Sequence, residues 1–180
     1  EARPEDPDAV QALALALFNL GHADESAACL QAFVDRVESG AGNADVLVLL
    51  GNVHYDRGDL DACVASYEAA AALAPSAATY DLLGLAHADA GMGERAVDAH
   101  RRATTLDPDR EESRVHLALA LSDMGRTEEA LEVLLALLLT SPNNVEARAA
   151  LGNIHMVRED WPQAIVAYQQ VIADKPGDPV

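Results

Sequence analysis

The stretch LLGNVHYDRGDLDACVASY, Leu49 to Tyr67, decides the fold because it recurs along the chain. A near copy, ALGNIHMVREDWPQAIVAY, runs from Ala150 to Tyr168. More diverged copies are LLGLAHADAGMGERAVDAH at Leu82–His100, HLALALSDMGRTEEALEVL at His116–Leu134 and ALALALFNLGHADESAACL at Ala12–Leu30. A proline closes the apolar run after four of them, at Pro75, Pro108, Pro142 and Pro176, and the last three prolines are spaced by 34 residues. Self-similarity at a fixed period of this length marks an array of supersecondary units that bury their apolar faces on one another.

The recurring positions have physical meanings. A leucine returns at Leu13, Leu50, Leu83, Leu117 and Leu151, each followed by a tiny residue: Ala14, Gly51, Gly84, Ala118 and Gly152. Further on come Gly21, Gly58, Gly91 and Gly125, with Glu159 in the last copy, and then Ser26, Cys63, Ala96, Ala130 and Ala164. Each copy therefore reads as two helices joined by a short turn, with the glycine as a left-handed cap. The two small positions let the helices approach closely, so a leucine at Gly84 or Ala96 is expected to overpack the crossing by about 1–3 kcal/mol. The proline ends the second helix and fixes the turn into the next copy.

This pattern resembles the tetratricopeptide repeat family over residues 7–178. The resemblance implies an all-α, right-handed superhelical solenoid of antiparallel helix pairs. The expected organisation is an N-terminal tail at 1–6, a diverged repeat at 7–40, a linker at 41–43, and repeats at 44–76, 77–110, 111–144 and 145–178. Residues 179–180 read as a truncation or as the start of a further copy. The first copy departs from the family pattern: it lacks the terminal proline and carries Phe33 where a small residue is usual. The family's aromatic positions are often Leu or His here.

The run Leu131 to Leu139 is apolar enough to raise the question of a membrane, but a spanning helix needs about 20 apolar residues. This run is half that and is preceded by Glu128 and Glu129. The repeat reading makes it the second helix of the fourth copy, expected to be covered by protein on most faces.

Composition narrows the function. The net charge is −18 and Lys175 is the only lysine, which argues against nucleic acid, whose phosphates need clustered cations. It also argues against an anionic membrane surface. The acidity fits a solvated face, salt adaptation or a basic partner. Cys29 and Cys63 form no disulfide framework or metal spacing and read as small buried residues. No Gly-rich phosphate loop, nucleophile elbow or H-E-x-x-H is present, so no catalytic residue, cofactor or metal is expected. His54, His87 and His155 recur at one repeat position, but helices pack about 10 Å apart, too far for shared metal ligation.

The surface remains. The family resemblance implies a concave groove lined by first helices, which binds peptides or helices of protein partners. The matching positions are Leu15, Asn52, Leu85, Leu119 and Asn153; beside them lie Gln11, Val48, Asp81 and Val115, and one turn on Phe18, Tyr55 and Met156, with Asp89 in an acidic stripe near the ends of first helices. Asn52 and Asn153 each offer an amide that can bond a partner's backbone bidentately. Some family members clamp a terminal carboxylate with basic residues; that lysine set is absent here. An acidic, partly apolar groove favours a basic or amphipathic segment. The expectation is a non-enzymatic interaction scaffold. The alternatives are the recognition arm of a larger glycosyl- or sulfotransferase, and a structural array that self-associates through its C-terminal end. No signal or spanning segment is read, which favours the cytoplasm without assigning a compartment.

Overall fold

The computed structural model describes residues 6–36 and 43–174. Residues 1–5 of the expected tail at 1–6, residues 37–40 of the first repeat, linker residues 41 and 42, and residues 175–180 lie outside them. Among the described residues there are ten helices and no strand. The chain divides into two compact units, residues 1–92 and 93–180.

The first unit holds α1 (Pro7–Asn19), α2 (Ala23–Arg36), α3 (Ala44–Asp56), α4 (Leu60–Leu73) and α5 (Ala77–Asp89). Side chains cap the starts of α1, α3, α4 and α5. Asp6 accepts from the Asp8 N–H, Asn43 from Asp45, Asp59 from Ala62 and Ser76 from Thr79. Each satisfies one of the orphan donors of a first turn. The turns after α1 and α3 close on Gly21 and Gly58, at φ 82° and 74°. His22 N donates to Leu17 O and Asp59 N to His54 O across those turns, both at 2.9 Å, the bond that closes a Schellman cap. Ala27, Leu30 and Phe33 of α2 meet Ala14 of α1 and Val46, Leu50 and Val53 of α3 in one core.

The second unit holds α6 (Gly93–Leu106), α7 (Glu111–Asp123), α8 (Thr127–Thr140), α9 (Val145–Val157) and α10 (Trp161–Asp174). Its core joins Val97, Leu117, Leu121, Leu134, Leu137 and Ile154. Two arginines of the first helices bond the turns before them: Arg114 donates to the Pro108 carbonyl and Arg148 to that of Pro142. Glu111 accepts from the Ser141 hydroxyl and from Asn144 Nδ2, the latter at 2.6 Å. Those bonds, Ser141 first, hold its carboxyl below the usual range.

The leucine run corrects one expectation. In α8, Ala130, Leu134 and Leu137 are buried, whereas Leu135 is exposed and Leu139 is 84% exposed. Burial therefore follows one helical stripe, i, i+4, i+7, and not most of the circumference. No described helix is long and apolar enough to cross a membrane. Cys63 is buried, and burial pushes its thiol up to about 11; Cys29 is only half-buried, less than expected.

The last copy lacks the turn glycine, and the backbone there does not adapt: Glu159 sits at φ 60°. Its N–H donates to Met156 O and that of Asp160 to His155 O, as in the glycine turns. A left-handed conformation costs an L-residue roughly 1–2 kcal/mol, partly offset by glycine's unfolded-state entropy. Glu159→Gly is expected to raise stability by about 0.5–1 kcal/mol, read as a higher melting temperature; an unchanged or lower value would contradict the strain.

Candidate functional site

The first helices carry the candidate surface. In the first unit, α1 and α3 lie against each other and leave an open depression of about 460 Å³ lined by Asp8, Gln11, Leu15, Asp45, Val48 and Asn52. Four of these, Gln11, Leu15, Val48 and Asn52, are positions the sequence places in the groove. They meet because 11 and 15, like 48 and 52, are one helical turn apart on matching faces. Leu15 and Val48 supply apolar floor, and the first-turn acids Asp8 and Asp45 supply negative charge. Gln11 lines the depression, and its covered Nε2 has no hydrogen-bond partner.

Asn52 is not wholly available. The Tyr67 hydroxyl donates to its Oδ1 at 2.6 Å. In the second unit Tyr168 does the same to Asn153 Oδ1, also at 2.6 Å. Each carbonyl is satisfied within its own helix pair, and the Nδ2 group is the part left to contact a partner. The bidentate reading is reduced to a donor. The sequence holds the signal: the two copies with Gly-Asn each carry Tyr fifteen residues after the Asn.

The other predicted positions divide by burial. Leu85 and Met156 are exposed, and Phe18 and Leu119 are half-buried. Tyr55 is exposed, and its hydroxyl donates to the carboxylate of Asp89 on α5. That bond raises the tyrosine pKa, and it engages both residues with each other. Two expectations are corrected. Asp81 is 3% exposed and Val115 is also buried, so neither offers surface to a partner. Val115 belongs to the core of the second unit, and Asp81 has polar interactions of its own. The acidic residues that do line the depression, Asp8 and Asp45, were not singled out in the sequence. Their signal is faint, since first-turn acids are common at helix starts for electrostatic reasons alone.

Of the recurring histidines, His54 and His155 are half-buried, and burial lowers the His54 pKa. His100 is buried with its ring centroid 5.4 Å from that of His116, in a tilted contact.

The family model described as tetratricopeptide repeat matches residues 12–78, 50–111 and 115–179. The chain belongs to the tetratricopeptide repeat family. Tetratricopeptide arrays are in general protein-interaction scaffolds rather than catalysts, and that is the architecture present here. Among curated proteins, the chain is 27% identical over 133 residues to protein O-mannosyl-transferase TMTC1 of Homo sapiens. That match takes in 74% of this chain and 15% of the transferase, so the chain spans a small part of that relative's length. Among solved structures, MamA superposes with a TM-score of 0.79 at 18% identity, covering 96% of this chain and 97% of that one. YrrB, described as a tetratricopeptide protein with an unusual peptide-binding site, gives 0.74 at 20% identity, covering 96% and 88%. At these identities the likeness is one of fold, and it agrees with the all-α tetratricopeptide solenoid expected from the repeat period.

Proposed function

We propose that the chain is an interaction scaffold that holds a basic or amphipathic segment of a protein partner on its first-helix face, centred on the depression between α1 and α3. The observation that carries this reading is the unpartnered Gln11 amide beside exposed Asp8, Asp45 and Asn52 over an apolar floor. Side-chain amide donors suit the backbone carbonyls of an extended or helical segment. The two carboxylates suit lysine or arginine, and the apolar floor suits the alternate side chains of an amphipathic ligand. YrrB's described peptide-binding site shows that a chain of this fold takes peptides, which supports the reading by analogy.

The test is a phage-display selection on the intact chain, followed by titration of the selected peptides. Enrichment of Lys- and Arg-containing apolar sequences is expected. Loss of one amide donor in Asn52→Ala is expected to weaken binding about tenfold, the scale of one hydrogen bond in a desolvated site. Asp8→Asn/Asp45→Asn is expected to slow association and flatten its salt dependence. Peptides without basic bias, or binding indifferent to all three changes, would refute the groove. A second reading rests on the similarity to TMTC1: the array as the recognition arm of a larger transferase. It predicts that selected peptides resemble segments of the substrate proteins that a catalytic domain encoded in the same reading frame modifies.

A further inference from the structure

In both units a second helix and the first helix that follows it share a core in the same register. The fifth residue of the second helix and the recurring leucine of the next first helix belong to one buried cluster. Ala27 shares a core with Leu50 in the first unit. Val97 shares one with Leu117 in the second, where half-buried Leu131 and Leu151 pack against that same core. Two faces of the chain carry the same register without a mate. On α10, Ile165 occupies the position of Ala27 and Val97 yet is 56% exposed, and Ile172, two turns on, is 72% exposed. Trp161, one turn earlier on the same stripe, is exposed too. On α1, Leu13 occupies the position of Leu50 and Leu117 yet is 54% exposed. No helix among the described residues covers either face.

We infer that these two faces bind each other between molecules: the α10 face of one copy receives the α1 face of a second copy, continuing the repeat-to-repeat register. The occupant is a second copy of this chain because it presents the matching half of an interface already built within both units. The faces differ, one from the start of the chain and one from its end, so the contact is heterologous and adds molecules head to tail. The driving force is apolar burial. Opposing it is the repulsion of two chains of net charge −18, which salt screens. Association is therefore expected to strengthen as salt rises, the reverse of the salt response of a charge-steered groove ligand. The inference does not depend on the groove, whose residues lie on another face of α1.

Sedimentation of the full chain across a concentration series, at low and high salt, tests it. The weight-average mass is expected to climb from 19.0 kDa with concentration, and further in high salt. Leu13→Glu and Ile165→Glu alter exposed sites, so each is expected to keep full helix content by circular dichroism. Each is expected to weaken self-association at least about tenfold, because a carboxylate is placed against an apolar face. The deciding sample is their mixture. Leu13→Glu retains a native α10 face and Ile165→Glu a native α1 face, so together they form one intact interface and stop at a dimer. A chain that stays monomeric at every concentration and salt overturns the inference. So does a Leu13→Glu chain that assembles like its parent, since that result belongs to a tail-to-tail dimer.

Discussion

Leu134→Ala lowers the stability of the second unit by about 2–5 kcal/mol, while Leu139→Ala, five residues along the same helix, changes it by less than about 0.5 kcal/mol. Leu134 is fully buried and packs among Val97, Leu117, Leu121 and Ile154. Truncation there removes buried methyl groups and leaves a cavity that close-packed neighbours fill only in part. Leu139 has almost no neighbours to lose. Urea titration followed by circular dichroism measures both, with the transitions fitted to coupled repeats, since repeat arrays need not unfold in one step. Equal losses at the two sites would mean that α8 is covered on its outer face as well, which would restore the expectation drawn from the leucine run alone.

Gly51→Ala destabilises the first unit, and Tyr67→Leu added to it recovers a large part of the loss. A Cβ at Gly51 would stand 2.5 Å from the Tyr67 ring, and one at Gly152 would stand 2.9 Å from that of Tyr168. Tyr67 is buried and its hydroxyl is tied to Asn52, so the ring cannot swing clear without breaking that bond. Overpacking of this kind costs about 1–3 kcal/mol, against a helix-propensity gain near 1 kcal/mol for replacing a mid-helix glycine. The steric term prevails because the contact is with the middle of a held ring. The chain itself supplies the compensating pair: where the tiny residue is alanine, at Ala14 and Ala118, the residue sixteen places on is Leu30 or Leu134. A double-mutant cycle is expected to show a favourable coupling of about 0.5–3 kcal/mol between the Gly51→Ala and Tyr67→Leu substitutions. Additive effects would show that the glycine serves something other than room for the tyrosine.

That pair also shows how far local reading carries. From the sequence, the tiny residues stand where two helix backbones approach. In the structure the space beside Gly51 and Gly152 is filled by a ring from the second helix. The same ring takes the carbonyl of the neighbouring asparagine, which leaves that residue's Nδ2 donor for a partner. The candidate groove positions were named from the family resemblance, and helical periodicity puts those four apart on one face of a helix. Of them, Leu15, Asn52, Leu85 and Asn153 are exposed. Asp81 and Val115 lie one turn earlier on α5 and α7, where neighbouring residues close over them, and no spacing rule separates those cases from Gln11 and Val48.

By itself the sequence determined the helix pairs, their turns and the family, because caps, turn glycines and a 34-residue period act between residues close in the chain. The left-handed turn persists even where Glu159 replaces glycine, since the cap bonds of the surrounding copy set the backbone. Only the tertiary structure decided which leucines of α8 meet water, which amide atoms of the groove are already bonded, and which apolar faces of α1 and α10 are left open. Those outcomes depend on side chains that arrive from other helices, and burial is a property of neighbours in space rather than of position along the chain.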